Sequence, residues 1–172
     1  MRIKPRVLAT AALALATAAL TATVSAGTAQ AATPGACTSA KTKLTVKKVD
    51  RPINHLLLKA TNTSGKTCFA YNAPYLRFDE GQAALPVVDD SVPQSVVTLE
   101  PGQSAYAGIS TSSPEGTNGR KAHDLGVLFA NRAANGSVGG EKTLKLPGSG
   151  VYVDSSAQVT YWQDNAADAL VW

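Results

Sequence analysis

The chain has 172 residues, 44% of them apolar and 16% charged, with a formal net charge of +4 and two cysteines, two tryptophans and two histidines. Three of the basic residues, Arg2, Lys4 and Arg6, sit in a leader, and without them the charge falls to +1. So small a charge gives nucleic acid or acidic lipid no electrostatic hold, and neither is expected as a partner.

The first segment, "MRIKPR", is basic and is followed by "VLATAALALATAALTATVSA", an uncharged run rich in Ala and Thr. Basic start, apolar run and the small-residue motif Ala29-Gln30-Ala31 follow the order of a secretory signal peptide. Residues 1–31 are therefore read as the signal, with cleavage between Ala31 and Ala32, and residues 32–172 as a single secreted, extracellular domain. No stable membrane insertion is expected once the signal is removed. An exported chain folds where thiols oxidise, so Cys37 and Cys68 are expected to pair. Closing that loop restricts the unfolded chain by roughly 3–4 kcal/mol in the loop-entropy model.

Beyond Cys37 come short β-like runs separated by turn chemistry, which makes the class all-β. Strands are expected at Thr42 to Val49, Ile53 to Thr61, Thr67 to Tyr71, Tyr75 to Asp79 and Ala84 to Val88. More follow at Ser95 to Leu99, Ser104 to Thr111, Leu125 to Ala130, Lys142 to Leu146 and Ala157 to Trp162. Around the first, Lys41, Lys43 and Lys47 share one face while Leu44 and Val46 share the other, which suits a solvated face with lysines guarding a sheet edge. "LLLKATNTSGKTC" reads as strand, turn, strand, because Asn, Ser and Gly tolerate the backbone of a reversal. "TLEPGQSA" reads as a type II turn, with Pro101 presetting φ and Gly102 taking the positive φ. After Asp164, "NAADALVW" suggests about two helical turns capping the final strand. So many short strands bury a core by packing two sheets face to face or by closing a barrel; the sandwich is preferred, and the expected fold is an immunoglobulin-like two-sheet β-sandwich with one disulfide and a short C-terminal helical tail.

A cysteine near the start of the domain, then "LKATNTSGKTC" with Pro74 soon after, then "VVTLEPGQSAYAGI", resembles the bacterial secreted family called domain of unknown function 4232, common in actinobacteria. The resemblance covers roughly Cys37 to Trp162. It implies an exported β-sandwich with its two cysteines joined, and it implies no activity. Where that family has Gly, an aromatic residue and Pro after the second cysteine, this chain has Asn72-Ala73-Pro74, and no role for that turn is carried over.

Catalytic chemistry has few candidates. His55 and His123 stand in no catalytic spacing, and there is no GxSxG elbow for a nucleophile among Ser110, Ser112 and Ser113. Asp79-Glu80 and Asp89-Asp90 lack the ladder of a calcium loop and read as solvated turn carboxylates. No cofactor, metal or catalytic role is expected. The polar, Gly-rich loop "SSPEGTNG" reads as mobile. Its Ser112, Ser113, Glu115 and Asn118, together with Tyr161 and Trp162 of the tail, form the candidate interaction surface, although the two aromatics equally suit a core strand. The expected function is a non-catalytic extracellular or cell-envelope binding module, monomeric, with an unidentified protein or cell-wall partner. The alternative is a small secreted hydrolase or a protease-inhibitor-like protein.

Overall fold

Alternation in "TKLTVKK" puts Leu44 and Val46 on one face and Lys43, Thr45 and Lys47 on the other, and this stretch is a strand in the structure, a computed structural model that describes residues 33–172. The expected signal segment, residues 1–31, and the expected cleavage site between Ala31 and Ala32 lie outside the described residues. The strands, in chain order, are β1 (Thr42–Lys48), β2 (His55–Asn62), β3 (Cys68–Ala70), β4 (Tyr75–Phe78), β5 (Val97–Leu99), β6 (Ser104–Ser110), β7 (Arg120–Ala122), β8 (Asp124–Ala130), β9 (Ser137–Lys145), β10 (Val151–Val153) and β11 (Gln158–Val159). They form a four-stranded sheet ordered β1-β2-β6-β11, a three-stranded sheet ordered β4-β8-β9, and the pairs β3-β5 and β7-β10, with the strand pairs antiparallel. Each of these sheets feeds one hydrophobic cluster, with Leu56, Leu58 and Ile109 from the first, Leu76, Leu125 and Phe129 from the second, and Leu99 and Val153 from the pairs. The lysines of β1 do lie on an edge strand, exposed, as their alternation suggests.

The disulfide joins Cys37 to Cys68, both buried, with Cα atoms 5.0 Å apart. It is reinforced by the backbone, because Phe69 donates to Gly35 O at 2.9 Å and Cys37 donates to Phe69 O at 2.8 Å. The N-terminal segment is thereby paired to β3 as well as cross-linked to it.

"TNTSGKT" is not a hairpin turn. Both edges of β2 are taken, by β1 and β6, and β3 leaves to pair with β5, so the turn carries the chain from one sheet to another. Asn62, 1% exposed, organises it. Its Nδ2 donates to Lys66 O at 2.8 Å and to Leu99 O at 2.9 Å, while its Oδ1 accepts from the Ser64 amide and hydroxyl. Its backbone is bonded to Gly102 and Gln103, which belong to the "LEPGQSA" turn. That turn closes with Gln103 N donating to Glu100 O at 3.0 Å and has Gly102 at φ 85°, the positive value expected of it. The two motifs separated in sequence are thus one hydrogen-bonded unit in space. At the next turn Asn72 stands at φ 56°, the left-handed region that Asn tolerates best after Gly, which suits Asn to this position.

Several expected elements are corrected. Ala84 to Val88 is no strand, having only an isolated parallel bridge from Val87 to Val159, and Pro86 has no N–H to extend a ladder. Arg120–Ala122 and Val151–Val153 are strands that their polar or Gly-flanked sequence conceals, and β9 starts earlier than expected, at Ser137 in a Gly-containing stretch. The C-terminal helical tail is a single 3-10 turn, Asp168–Leu170, closed by Leu170 N donating to Ala167 O at 3.0 Å. Eight residues are too few to nucleate two α-helical turns without packing support, and the packing here favours one tight turn. Ala169, fully buried, sits on β6, where Gly108 leaves room for it: a Cβ at Gly108 would come 1.9 Å from Ala169 O.

Asp79, at φ 50°, fastens the end of β4 to the β7–β8 junction. Its Oδ1 accepts from the backbone amides of His123 at 2.9 Å and Asp124 at 3.0 Å, and its Oδ2 pairs with the Arg120 guanidinium. Partial burial pushes this carboxyl up, but the two amides and Arg120 outweigh it and hold the group below the usual carboxylate range. A depressed carboxyl contributes stability above its ordinary pKa and loses it as the pH falls through the folded value. Asp79→Asn is therefore expected to cost about 1–2 kcal/mol at neutral pH, with the gap to wild type closing below about pH 4. Urea unfolding at a series of pH values checks this, and a gap that persists at low pH would assign the loss to something other than the charge.

Candidate functional site

The site is built where two segments with no strand of their own meet. One runs from the 3-10 turn Asp89–Ser91 into β5, and the other is the C-terminal stretch from Gln163. Tyr106 and Gln163 exchange backbone hydrogen bonds of 2.8 and 2.7 Å, which returns the tail to the edge of β6 after β11. The Gln163 amide then donates to Ser91 O at 2.6 Å, and the Ser91 hydroxyl donates to Val88 O and accepts from Tyr161 N. Gln163 and Ser91 are both buried and form the floor of a groove of about 680 Å³.

Its rim is apolar. Val92, Val96, Val171 and Trp172 line it, and they are four of the six large hydrophobic side chains that stand exposed among the described residues. Such exposed apolar groups, gathered around one concavity, are what a contact surface looks like before it is covered. Trp172 is 45% exposed, and its oxygen lies 3.1 Å from Nε2 of His55, whose Nδ1 lies 2.7 Å from Ile53 O, so β2 fixes the end of the tail.

The rim is also acidic. Asp164 and Asp168 line the groove, and the Asn165 amide spans them at 3.0 and 2.7 Å. Residues 78–119 and 146–172, which supply every lining residue, hold nine of the chain's 12 acidic residues and no Lys or Arg. The lysines of β1 and the acids of the groove are thus segregated along the sequence, and among the described residues neither Asp164 nor Asp168 is in an ion pair, which leaves the groove's carboxylates free to attract a cation.

The residues singled out from sequence are distributed differently. Ser112 and Ser113 are half-buried, and Glu115 and Asn118 are exposed. Their loop is pinned, since Asp154 N donates to Thr111 O, Ser155 N to Thr117 O, and Thr117 N to the Ser155 hydroxyl. Hydrogen bonds to Asp154 and Ser155 thus tie this loop at Thr111, just before it, and at Thr117 within it. His123 is exposed, with its backbone amide on Asp79 and its ring beside Gly150, whereas Thr111 and Thr117, which bracket Ser112 and Ser113, are tied to Asp154 and Ser155.

Trp162 is no surface residue. It is 0% exposed and stacks on Phe129 with ring centroids 5.3 Å apart. The expected strand to Trp162 stops at Val159 because the tail inserts one extra residue: four steps from Val159 to Gln163 face three steps from Ile109 to Tyr106. In that excursion Thr160 bonds Gly108 through backbone and hydroxyl, Tyr161 N turns to Ser91, and Trp162 N donates to Asn72 O at 3.0 Å. A one-residue insertion reverses the faces that follow, so Trp162 enters the core with Val159, and Tyr161 is left half-buried.

Among the described residues no three His, Cys, Asp or Glu side chains are grouped to hold a metal, and no helix is long and apolar enough to cross a membrane. A family model described as a domain of unknown function, DUF4232, matches residues 37–163. The chain belongs to that family. No curated protein and no solved structure matches it. The matched span includes the disulfide, the Asn62 unit, the groove floor and the rim residues Val92 and Val96; Val171 and Trp172 lie beyond it. Sequence reasoning missed the groove, although the absence of any basic residue between Arg77 and Arg120 was a readable signal.

Proposed function

We propose that the protein is a secreted, non-catalytic binding module of the extracellular space or cell envelope, an immunoglobulin-like two-sheet β-sandwich that holds a partner in the groove between Val92–Val96 and Val171–Trp172. The observation that carries this reading is the gathering of four exposed apolar side chains around one acidic concavity. A sandwich suits the core, because the apolar faces of the four-stranded and three-stranded sheets feed a single cluster. Binding is favoured over turnover by the floor itself. Gln163 and Ser91 are committed to each other and to neighbouring backbone, as positioning groups are. Export is supported by the disulfide and by the basic, apolar, small-residue order of the first 31 residues.

The test is retention. The purified protein, immobilised, is incubated with cell-envelope fragments and culture supernatant of the producing cells, beside Val96→Asp and Val171→Asp variants with wild-type circular dichroism. A component held by wild type and lost from both variants is the expected result. Retention that both variants keep in full would place binding elsewhere and overturn the groove.

A further inference from the structure

We propose that the groove takes an extended peptide segment in which apolar side chains alternate with Lys or Arg, paired through its backbone to the open edge that runs from Val96 into β5; this rests on the groove being the binding site. Three observations point to that chemistry. The first is backbone. Among the described residues, no main-chain group of Val92–Val96 makes a hydrogen bond, although the same run continues into β5. Val92, at φ −61° and ψ 121°, is extended, and β5 is paired on one edge only, by β3. Pro93 has no N–H and Gln94–Ser95 bend the chain, so the template is the Val96 end of the run, where a free amide and carbonyl adjoin a strand with an open edge.

The second observation is the wall. Val92 and Val96 from one segment and Val171 and Trp172 from the tail line the same groove, so a strand laid in it meets apolar contact from both segments. Alternate side chains of an extended peptide point to opposite faces, which lets one set fill the groove while the other faces outward to its rim. The third is charge. Asp164 and Asp168 have no cationic partner among the described residues, and the segments that build the groove contain no Lys or Arg. A peptide bearing Lys or Arg at the outward positions complements that field, and an acidic one is repelled.

Trp172 provides the reading, since Trp162 is buried and acrylamide quenching therefore reports on Trp172. The probes are synthetic peptides of about ten residues: alternating Val and Lys, alternating Val and Glu, alternating Ser and Lys, and the Val–Lys peptide N-methylated at every second residue. The Val–Lys peptide is expected to shield Trp172 and to bind at least about ten-fold more tightly than the other three, with affinity falling as salt is raised. Asp164→Lys combined with Asp168→Lys is expected to reverse the preference toward the Val–Glu peptide. Equal binding of the Val–Lys and Val–Glu peptides, or undiminished binding after N-methylation, overturns the proposal. So does the absence of binding up to about 1 mM, the weak end of specific recognition. If groove-dependent retention from envelope or supernatant persists while all four peptides fail, the binding-module reading stands and the peptide assignment falls. Self-association that Val171→Asp abolishes, seen by sedimentation, would instead give the groove to a second copy and likewise overturn it.

Discussion

Trp162→Ala is expected to lower the stability of the domain by about 3–5 kcal/mol, the usual cost of removing a large buried aromatic side chain. Trp162 heads the fully buried side chains by volume and lies flat against Phe129, at an interplanar angle of 18°. Its backbone amide ties the tail to Asn72, so the side chain and main chain hold the same junction. Deleting the indole leaves a cavity that β8 and the tail cannot collapse into without giving up those bonds. The indole Nε1 finds no acceptor among the described residues, so the ring stabilises by contact alone. Trp162→Phe therefore loses volume but sheds an unpaired N–H, and is expected to cost about 1–2 kcal/mol. Urea unfolding followed by circular dichroism measures both. A loss under about 1 kcal/mol for the alanine variant would contradict a core position, and a loss well above about 2 kcal/mol for the phenylalanine variant would mean that Nε1 is bonded.

What the sequence made legible was local. The Leu/Lys alternation of β1 needs only neighbours along the chain to place its faces, and the Pro101-Gly102 turn needs only its own φ angles. What it concealed was decided between distant segments. "TNTSGKT" has the chemistry of a reversal, and the chain does bend there, but whether two strands then pair depends on which edges are free, and β1 and β6 had taken both edges of β2. Trp162 was ambiguous for the same reason. Its face depends on one inserted residue, and that insertion is held by Asn72, Ser91 and Gly108, none of them near it in sequence.

The groove was concealed in another way. Val92 and Val96 look like ordinary members of a β-like run, and only the arrival of the tail beside them turns exposed valines into one wall of a concavity. The loop from Ser112 to Gly119 was the converse case. Its Gly and Pro content describes how a chain can turn, and says nothing of the Asp154–Ser155 backbone that waits to receive it.

Asn62→Ala is expected to cost about 4 kcal/mol, on the basis of four side-chain hydrogen bonds at about 1 kcal/mol each in a buried network. All the donor and acceptor capacity of the Asn62 amide group is in use: two N–H bonds to Lys66 and Leu99 carbonyls, and an oxygen shared by the Ser64 amide and hydroxyl. Alanine leaves the Leu99 carbonyl facing a buried methyl group and frees the turn that carries the chain from β2 to β3. It also loosens the neighbouring Gly102 and Gln103 pairing, since the Asn62 backbone that makes it is held in place by the side chain. Asn62→Asp separates donors from acceptors. The carboxylate keeps the bonds from Ser64 on one oxygen but turns the other toward the Lys66 and Leu99 carbonyls, so it is expected to destabilise at neutral pH at least as much as alanine, and to recover partly in acid, where a protonated carboxyl donates again. Urea unfolding gives the magnitudes, and hydrogen exchange at the Ser64 amide gives a local reading that a merely global loss would not single out. If Asn62→Ala stays within about 1 kcal/mol of wild type with slow exchange at Ser64, the unit that joins the "TNTSGKTC" and "LEPGQSA" motifs is not held by this side chain.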